Sequence, residues 1–290
     1  MSRFAYVNGR YCPFAEASVH IEDRGYQFAD AVYEVVYVRG GRPIDAGLHL
    51  DRLDRSLAAL AIRPPMGRAA LGAVLAEMVR RNRISEGLLY LQVSRGVARR
   101  EHAFPAPPPA PALVVTLRRL PPYPTDPARW AGRALTRPDE RWGRCDIKTT
   151  NLLPNVLAKQ AAREASAIEA ILVDSAGMVT EGASTTVWIV DQAGRLCTRP
   201  LDHTVLPGCT RAALVDLLAG RGIGWDERRF GLADLRAARE IFLTSASGFV
   251  RPIVALDGEP VGDGTPGPVT CRLFDLFARH VQGGGHNRER

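Results

Sequence analysis

The stretch RCDIKTTNLLPNVLAKQAA, Arg144 to Ala162, holds both lysines of this chain, Lys148 and Lys159. The basic side chains number 38, so with two lysines the other 36 are arginine. Arginine stays protonated in proteins, whereas lysine can lose its proton where the surroundings disfavour the charge. A position that keeps an amine in so arginine-rich a chain is a candidate for carbonyl chemistry, in which the amine forms a Schiff base. The plain alternative is a genome rich in arginine codons, in which two lysines simply remain. Composition by itself leaves both readings standing.

Outward from that stretch, 290 residues suggest one large or two medium domains with ample chain for a core. A hydrophobic fraction of 46% and a charged fraction of 24% are those of a soluble globular protein. No run approaches the ~20 apolar residues of a membrane span. The opening MSRFAYVNGRY lacks a signal-peptide apolar core and reads directly as a strand, so a cytoplasmic protein is expected. Cys12, Cys145, Cys197, Cys209 and Cys271 lie far apart without a CxxC pair, which argues against a disulfide framework and against a metal site. The formal charge of +7 raises nucleic acid as a partner. The arginines are scattered and not blocked into a basic run, and general arginine enrichment produces the same charge, so no nucleic-acid partner is expected.

Strands are expected in FAYVNGRYCPF, around the tight-turn dipeptide Asn8-Gly9, and in YEVVYVRGGRPI, around Gly40-Gly41. HLDRLDRSLAALAI has helical spacing, with Leu50, Leu53, Leu57 and Leu60 on one face. AALGAVLAEMVRRN is a second helix; GLLYLQVSRG and LVVTLRR return to strand, among proline-rich loops. Further on, EAILVD, TTVWIVD and EIFLTSASG are strands. LPGCTRAALVDLLAGRG is a loop entering a helix that Thr210 can cap and Gly220 or Gly222 can end. Hairpins alternating with helices favour α+β over a doubly wound parallel sheet.

If Lys148 forms a Schiff base, the aldehyde it points to is pyridoxal phosphate, which makes further demands. Its phosphate needs oriented N–H donors, available at the helix opening at Gly208, Cys209 and Thr210 and in the loop Ser245 to Gly248. Its pyridine nitrogen needs an acidic partner, for which Glu181 in MVTEGASTT is the candidate. A substrate carboxylate needs donors, and SRGVARREH places Arg100 and His102 two apart, on one side if that stretch is extended. Each of these features taken alone also reads as an ordinary cap, turn or solvated charge.

Taken together they resemble the fold-type IV pyridoxal-phosphate aminotransferases, and most nearly the D-amino acid branch. EDRGYQFADAVYEVV, HLDRL, SRGVARREHAFP, RCDIKTTNLLPNVLAKQAA, ILVDSAGMVTEGASTTVW, VLPGCTR and FLTSASGFVRPI occur in the family's order and cover nearly the whole chain. The resemblance implies transamination between a D-amino acid such as D-alanine and a 2-oxo acid, either 2-oxoglutarate or pyruvate. It implies that Lys148 holds the cofactor and carries the proton, that Glu181 partners the pyridine nitrogen and that Arg52 binds the phosphate. Cys209 and Thr210 join Arg52 at the phosphate, Leu206 lies against the ring, and Ala246 and Ser247 occupy a further phosphate-binding loop. Tyr33, Arg100 and His102 would bind substrate, with Ser184 beside them, and the arginine–histidine pair would enter from a second copy in a homodimer.

The resemblance also implies an α+β, two-domain fold: a smaller N-terminal α/β domain over 1–121, a linker over 122–128, and a larger C-terminal domain over 129–282 with a β-barrel-like core. Residues 283–290 are expected to be a disordered tail. Two positions depart from the pattern: Ala246 stands where a phosphate-binding threonine is expected, and Tyr37 where a lysine can occur. A branched-chain L-aminotransferase, an (R)-amine transaminase and an aminodeoxychorismate lyase share the cofactor residues; Arg100 and His102 speak against the first. Lys159, in the helix pattern beyond Pro154, is read as solvated or as complementing a helix dipole.

Overall fold

The computed structural model describes residues 3–285. They divide into two compact units. The first comprises the described residues up to Pro122, together with Ile147–Asn151 and the described residues from Val281 on. The second comprises Tyr123–Asp146 and Leu152–His280.

In the first unit the elements run β1 (Phe4–Val7), β2 (Arg10–Pro13), α1 (Arg24–Phe28), β3 (Ala31–Arg39), β4 (Arg42–Pro43), α2 (Ala46–Ala59), α3 (Arg68–Asn82), β5 (Glu86–Ser94) and β6 (Ala112–Arg119). The six strands form one antiparallel sheet in the order β2-β1-β6-β5-β3-β4. Both expected hairpins are present. Asn8 and Gly9 have φ of 46° and 92°, and Gly40 and Gly41 have 56° and 75°, the left-handed pairs that a two-residue hairpin turn requires. The core lies between one face of this sheet, with Val32, Val36, Leu89 and Leu91, and the apolar stripes of α2 and α3, with Leu53, Leu57, Leu75 and Met78. Leu57 is 2% exposed, and its truncation to alanine would cost about 2–5 kcal/mol.

Residues 147–151 group with this unit for a local reason. Ile147 sits in its core, the Tyr33 amide donates to the Lys148 carbonyl at 2.9 Å, and the Thr150 amide donates to Ala31 at 3.1 Å. Thr149 makes a one-residue antiparallel bridge with Val32. The lysine-bearing segment thus differs in placement from the simple N-terminal and C-terminal division expected of the sequence.

The second unit carries α4 (Pro127–Trp130), β7 (Gly132–Pro138), α5 (Leu153–Glu164), β8 (Glu169–Val173), β9 (Val179–Gly182), β10 (Thr186–Val190), β11 (Leu196–Thr198), α6 (Cys209–Ala219) and β12 (Asp226–Glu227). It continues through α7 (Leu232–Ala237), β13 (Glu240–Ser245), β14 (Phe249–Leu256), β15 (Glu259–Pro260) and α8 (Pro268–Gln282), whose last residues count with the first unit. Its nine strands form a mixed sheet, β12-β11-β10-β13-β14-β7-β8-β9, with β15 on β14. Trp188 and Phe242 face each other across β10 and β13, and their rings stack with centroids 5.7 Å apart. On α5, Ala158 and Ala162 pack against Ala170 and Leu172 of β8, small residues letting the helix approach the strand closely.

Two expectations are corrected here, and one helix is added. α6 is capped by Gly208, and Thr210 lies inside its first turn. Lys159 is not merely solvated: its ammonium donates to the Ile168 carbonyl at 2.7 Å and pairs with Glu169 at 3.2 Å. α8 had no counterpart in the sequence reading, although Leu273, Leu276 and Phe277 bury one face of it. Of the expected tail, Gly283–Gly285 form a turn at the end of α8 and residues 286–290 lie outside the described residues.

Candidate active site

Strand β3 sets the first group of residues. Its period-2 alternation sends Val32, Glu34 and Val36 toward the helices and Tyr33 to the other face. Glu34 is therefore a carboxylate in an apolar layer, fully buried, and it must be paired. It accepts from Arg52 Nε and Nη2, both at 2.7 Å, and pairs with His49 Nδ1 at 2.8 Å. Burial alone would raise its pKa, but the Arg52 guanidinium and His49 outweigh burial and hold it at about 2, against an ordinary 4.5. His49 and Arg52 reach it together because they are three apart on α2 and share a face. Arg52, expected at a phosphate, is itself 4% exposed and fixed as a fork. The sequence reading missed Glu34 and His49. The signal was available: a glutamate on the apolar phase of a strand, followed by a basic pair at helical spacing.

On the other face, Lys148 Nζ lies 4.2 Å from the centroid of the Tyr33 ring, a cation–π distance. The Lys148 amide donates to Ser56 Oγ at 3.3 Å and its carbonyl is held by β3, so the main chain beneath the amine is fixed on both sides. Tyr90 stands beside Tyr33 with ring centroids 5.7 Å apart, and burial pushes its phenol up to about 12.

Arg100 and His102 lie in the irregular chain that follows β5, where the expectation of an extended stretch does not hold. They converge on a common neighbour instead. The Arg100 guanidinium is 5.1 Å from the centroid of Phe28, and the His102 ring is 5.4 Å from the same ring. Both side chains are on exposed residues.

In the second unit Glu181 is buried within β9. Its carboxylate accepts from Arg141 Nη1, a short contact, and from the Leu206 amide at 3.1 Å. Arg141 grips Asp139 with Nε at 2.8 Å and Nη2 at 2.7 Å, and also donates to the Thr204 carbonyl at 3.1 Å. Asp139 in turn accepts from Thr180 Oγ1 at 2.6 Å. Although burial works against the charge, Asp139 and Glu181 raise the pKa of Arg141, which stays a cation. The same cluster contains Cys145, whose thiol burial pushes up to about 11 despite Arg141, leaving it protonated and poorly nucleophilic. Arg141 was also missed: in RPDERWGR it looks like one more surface arginine.

Cys209 and Thr210 are buried in the first turn of α6, and no side chain caps that turn. Its leading amides and the positive end of its dipole are donors that could hold an anion. A side chain at Gly208 would bring its Cβ within 2.9 Å of Thr186 Oγ1, so the approach to this turn needs glycine. In the loop after β13, Ala246 is half-buried and Ser247 exposed, and the Gly248 amide donates to Ser245 Oγ at 3.0 Å. Ser184 is exposed and donates to the buried Glu169 at 2.8 Å. Arg251 lies over the Trp130 ring at 4.2 Å and donates to its carbonyl.

Residues 31–256 match the family described as amino-transferase class IV. The chain is 39% identical over 276 residues to a D-alanine aminotransferase of Listeria innocua, covering 95% of each. It is 40% identical over 265 residues to the D-alanine aminotransferase of Bacillus licheniformis, covering 91% of this chain and 92% of the relative. Among solved structures, the branched-chain amino acid aminotransferase of Escherichia coli superposes with a TM-score of 0.86 at 22% identity, over 100% of this chain and 98% of that one. A Mycobacterium tuberculosis hypothetical aminotransferase in its PLP-bound form gives 0.79 at 25% identity, over 94% and 97%.

Proposed function

The chain belongs to the amino-transferase class IV family, and on that premise we propose that it is a pyridoxal-phosphate-dependent enzyme moving an amino group between a D-amino acid and a 2-oxo acid. The observation that carries the substrate class is the 35–40% identity, over nearly the full length, to D-alanine aminotransferases. Arg100 and His102 are the residues we assign to it.

The residues present fit the cofactor. Arg52 is a buried guanidinium and, taken separately, the helix start at Gly208 to Thr210 lacks a side-chain cap; each is a group of the kind that holds a phosphate. Glu181 is a buried carboxylate, held by Arg141 and the Leu206 amide, of the kind that pairs with a protonated pyridine nitrogen. Pyridoxal phosphate, when bound, supplies an aldehyde for amine exchange and a ring that takes up electrons.

The chain's own residues divide the remaining work. Lys148 Nζ would hold the cofactor and, once released by an incoming amine, would carry the proton between the substrate α-carbon and the cofactor carbon. Guanidinium can do neither, which is why a lysine stands here in a chain of arginines. Tyr33 lies beside that amine and orients it. Glu181 would accept from the pyridine nitrogen, and Arg141, itself anchored by Asp139, holds the Glu181 carboxylate in place. Leu206, whose amide is tied to Glu181, supports the ring. Arg100 and His102 bind the substrate carboxylate, with Ser184 near the substrate. One base on one side and one carboxylate trap determine the handedness of the amino acid accepted.

The same reading makes the enzyme a homodimer in which the trap serves the neighbouring copy. Supporting this, Val19, Ile21, Tyr26, Val97 and Phe104 are 40–76% exposed along segments joined by the Asp23–Val97 bridge, next to Arg100 and His102. The protein is assigned to the cytoplasm; among the described residues no helix is long and apolar enough to cross a membrane.

The test is the absorbance of the cofactor-loaded protein on adding D-alanine and, separately, L-leucine. Conversion of the visible cofactor band to the amine form by D-alanine alone is the expected result. A response to L-leucine alone would move the chain to the branched-chain branch and remove Arg100 and His102 from the trap.

A further inference from the structure

Arg24 is 3% exposed, and no role in the reaction has been assigned to it. A buried guanidinium must spend its donors on protein acceptors. Arg24 Nε donates to Asp30 at 2.8 Å. Its other two nitrogens go to the main chain of the segment bearing the trap, Nη1 to the Glu101 carbonyl at 2.5 Å and Nη2 to the His102 carbonyl at 3.3 Å. The Arg24 amide also donates to the Gly96 carbonyl at 3.0 Å, at the entry to the same segment.

The surroundings complete a clamp. Asp30 accepts two bonds from Arg95, at 2.7 and 3.0 Å, and the Arg95 guanidinium lies 3.6 Å from the centroid of Phe104. Phe28, on the same short helix as Arg24, takes the Arg24 guanidinium at 4.8 Å and receives Arg100 and His102 on its ring. An exposed loop without regular structure would ordinarily leave its carbonyls to water. Here a buried cation holds two of them, those of the peptides before and after His102.

We propose that Arg24, with Phe28 as a shelf, is a positioning residue for the carboxylate trap, fixing the main chain of Glu101 and His102 so that Arg100 and His102 meet the substrate in one geometry. This rests on the reading of Arg100 and His102 given above. Displacing a binding group by about 1 Å can cost on the order of 100-fold, and hydrogen bonds from a charged donor are the strong ones.

The experiment uses the cofactor-loaded enzyme and the variants Arg24→Gln, Arg24→Lys, Phe28→Leu and Arg100→Ala. Expected for Arg24→Gln is a rise in KM of ~10–100-fold for D-alanine and, in parallel, for pyruvate, since both carry the carboxylate. The effect on kcat should be far smaller, and the dissociation constant for pyridoxal phosphate should stay within about twofold of wild type. Lysine cannot reproduce the fork, so Arg24→Lys should rescue little. Combining Arg24→Gln with Arg100→Ala should add little to Arg100→Ala alone. Amide hydrogen exchange across 99–103 should accelerate while that of β3 and β5 does not. Phe28→Leu stays apolar and leaves the Arg24 hydrogen bonds in place while removing the ring, and should raise KM by a smaller factor; it carries the test if Arg24→Gln does not fold. Faster exchange with an unchanged KM would overturn the proposal while leaving the trap intact. An unchanged KM in Arg100→Ala would overturn the trap itself, and the proposal with it.

Discussion

Replacing Glu34 by glutamine removes a charge and keeps the shape, so its effect can be worked from the site. Glu34 is fully buried and is held at about 2 against an ordinary 4.5. At about 1.4 kcal/mol per pKa unit, that difference corresponds to roughly 3 kcal/mol of stability at neutral pH. A separate argument gives a similar figure: removing one partner of a buried ion pair leaves the Arg52 cation uncompensated, at a cost of about 3–5 kcal/mol. The sign follows from the direction of the shift. A carboxylate whose pKa is depressed on folding contributes fully above its unfolded value, and the contribution is lost as the pH falls from about 4.5 through about 2. The difference between wild type and Glu34→Gln should thus be about 3 kcal/mol at pH 7 and shrink to roughly 1 kcal/mol at pH 3. Urea unfolding of the cofactor-free proteins measures it, with phosphate affinity kept out of the comparison. Other acidic groups titrate in both proteins and cancel. A difference below ~1 kcal/mol at pH 7, or one that widens toward acid, would refute the reasoning.

Other outcomes follow from single side chains. Lys148→Ala should bring D-alanine transamination below detection and shift the visible spectrum of added cofactor to that of the free aldehyde, whereas Lys159→Met should leave turnover within about twofold, its amine being engaged by the Ile168 carbonyl and Glu169. Arg141→Met leaves Asp139 and Glu181 buried without their cation and should destabilise by about 3–5 kcal/mol, read as a lower urea midpoint, with weaker pyridoxal-phosphate binding in a fluorescence titration. Gly96 has a φ of +104°, and a Cβ there would lie 2.0 Å from the Ala110 carbonyl oxygen. Gly96→Ala should therefore lower the thermal midpoint, and by moving the entry to the trap segment it should also raise KM for D-alanine.

What could be read from the sequence had local causes. Asn8-Gly9 and Gly40-Gly41 announce hairpins because few other residue pairs accept two positive φ angles. The leucines of α2 reveal its buried face because helix geometry repeats at i+3 and i+4. Lys148 stood out because amines are so scarce in this chain. What stayed hidden depended on partners distant in sequence. Arg141 and Glu181 are 40 residues apart, and nothing in RPDERWGR distinguishes a buried guanidinium from a solvated one. The grouping of 147–151 with β3 rests on a one-residue bridge, too short to leave a hydrophobic period. α8 is a different kind of miss, since Leu273, Leu276 and Phe277 do carry a helical spacing.

The buried arginines bear on why the chain is built as it is. Arg24, Arg52 and Arg141 each sit on a carboxylate inside the protein, Asp30, Glu34 and Glu181. Apolar residues of similar volume would often be as stable at such positions, because desolvating two charges offsets much of their attraction. Stability alone is thus a weak reason for three such pairs. In the proposed reaction each acts on a different charge: Arg52 on a phosphate, the Glu181 carboxylate on a pyridinium, and Arg24, through main-chain carbonyls, on the trap for a carboxylate. A permanently charged, planar side chain suits all three tasks, since none requires a proton to leave. The one task that does require it falls to Lys148, where arginine could not serve.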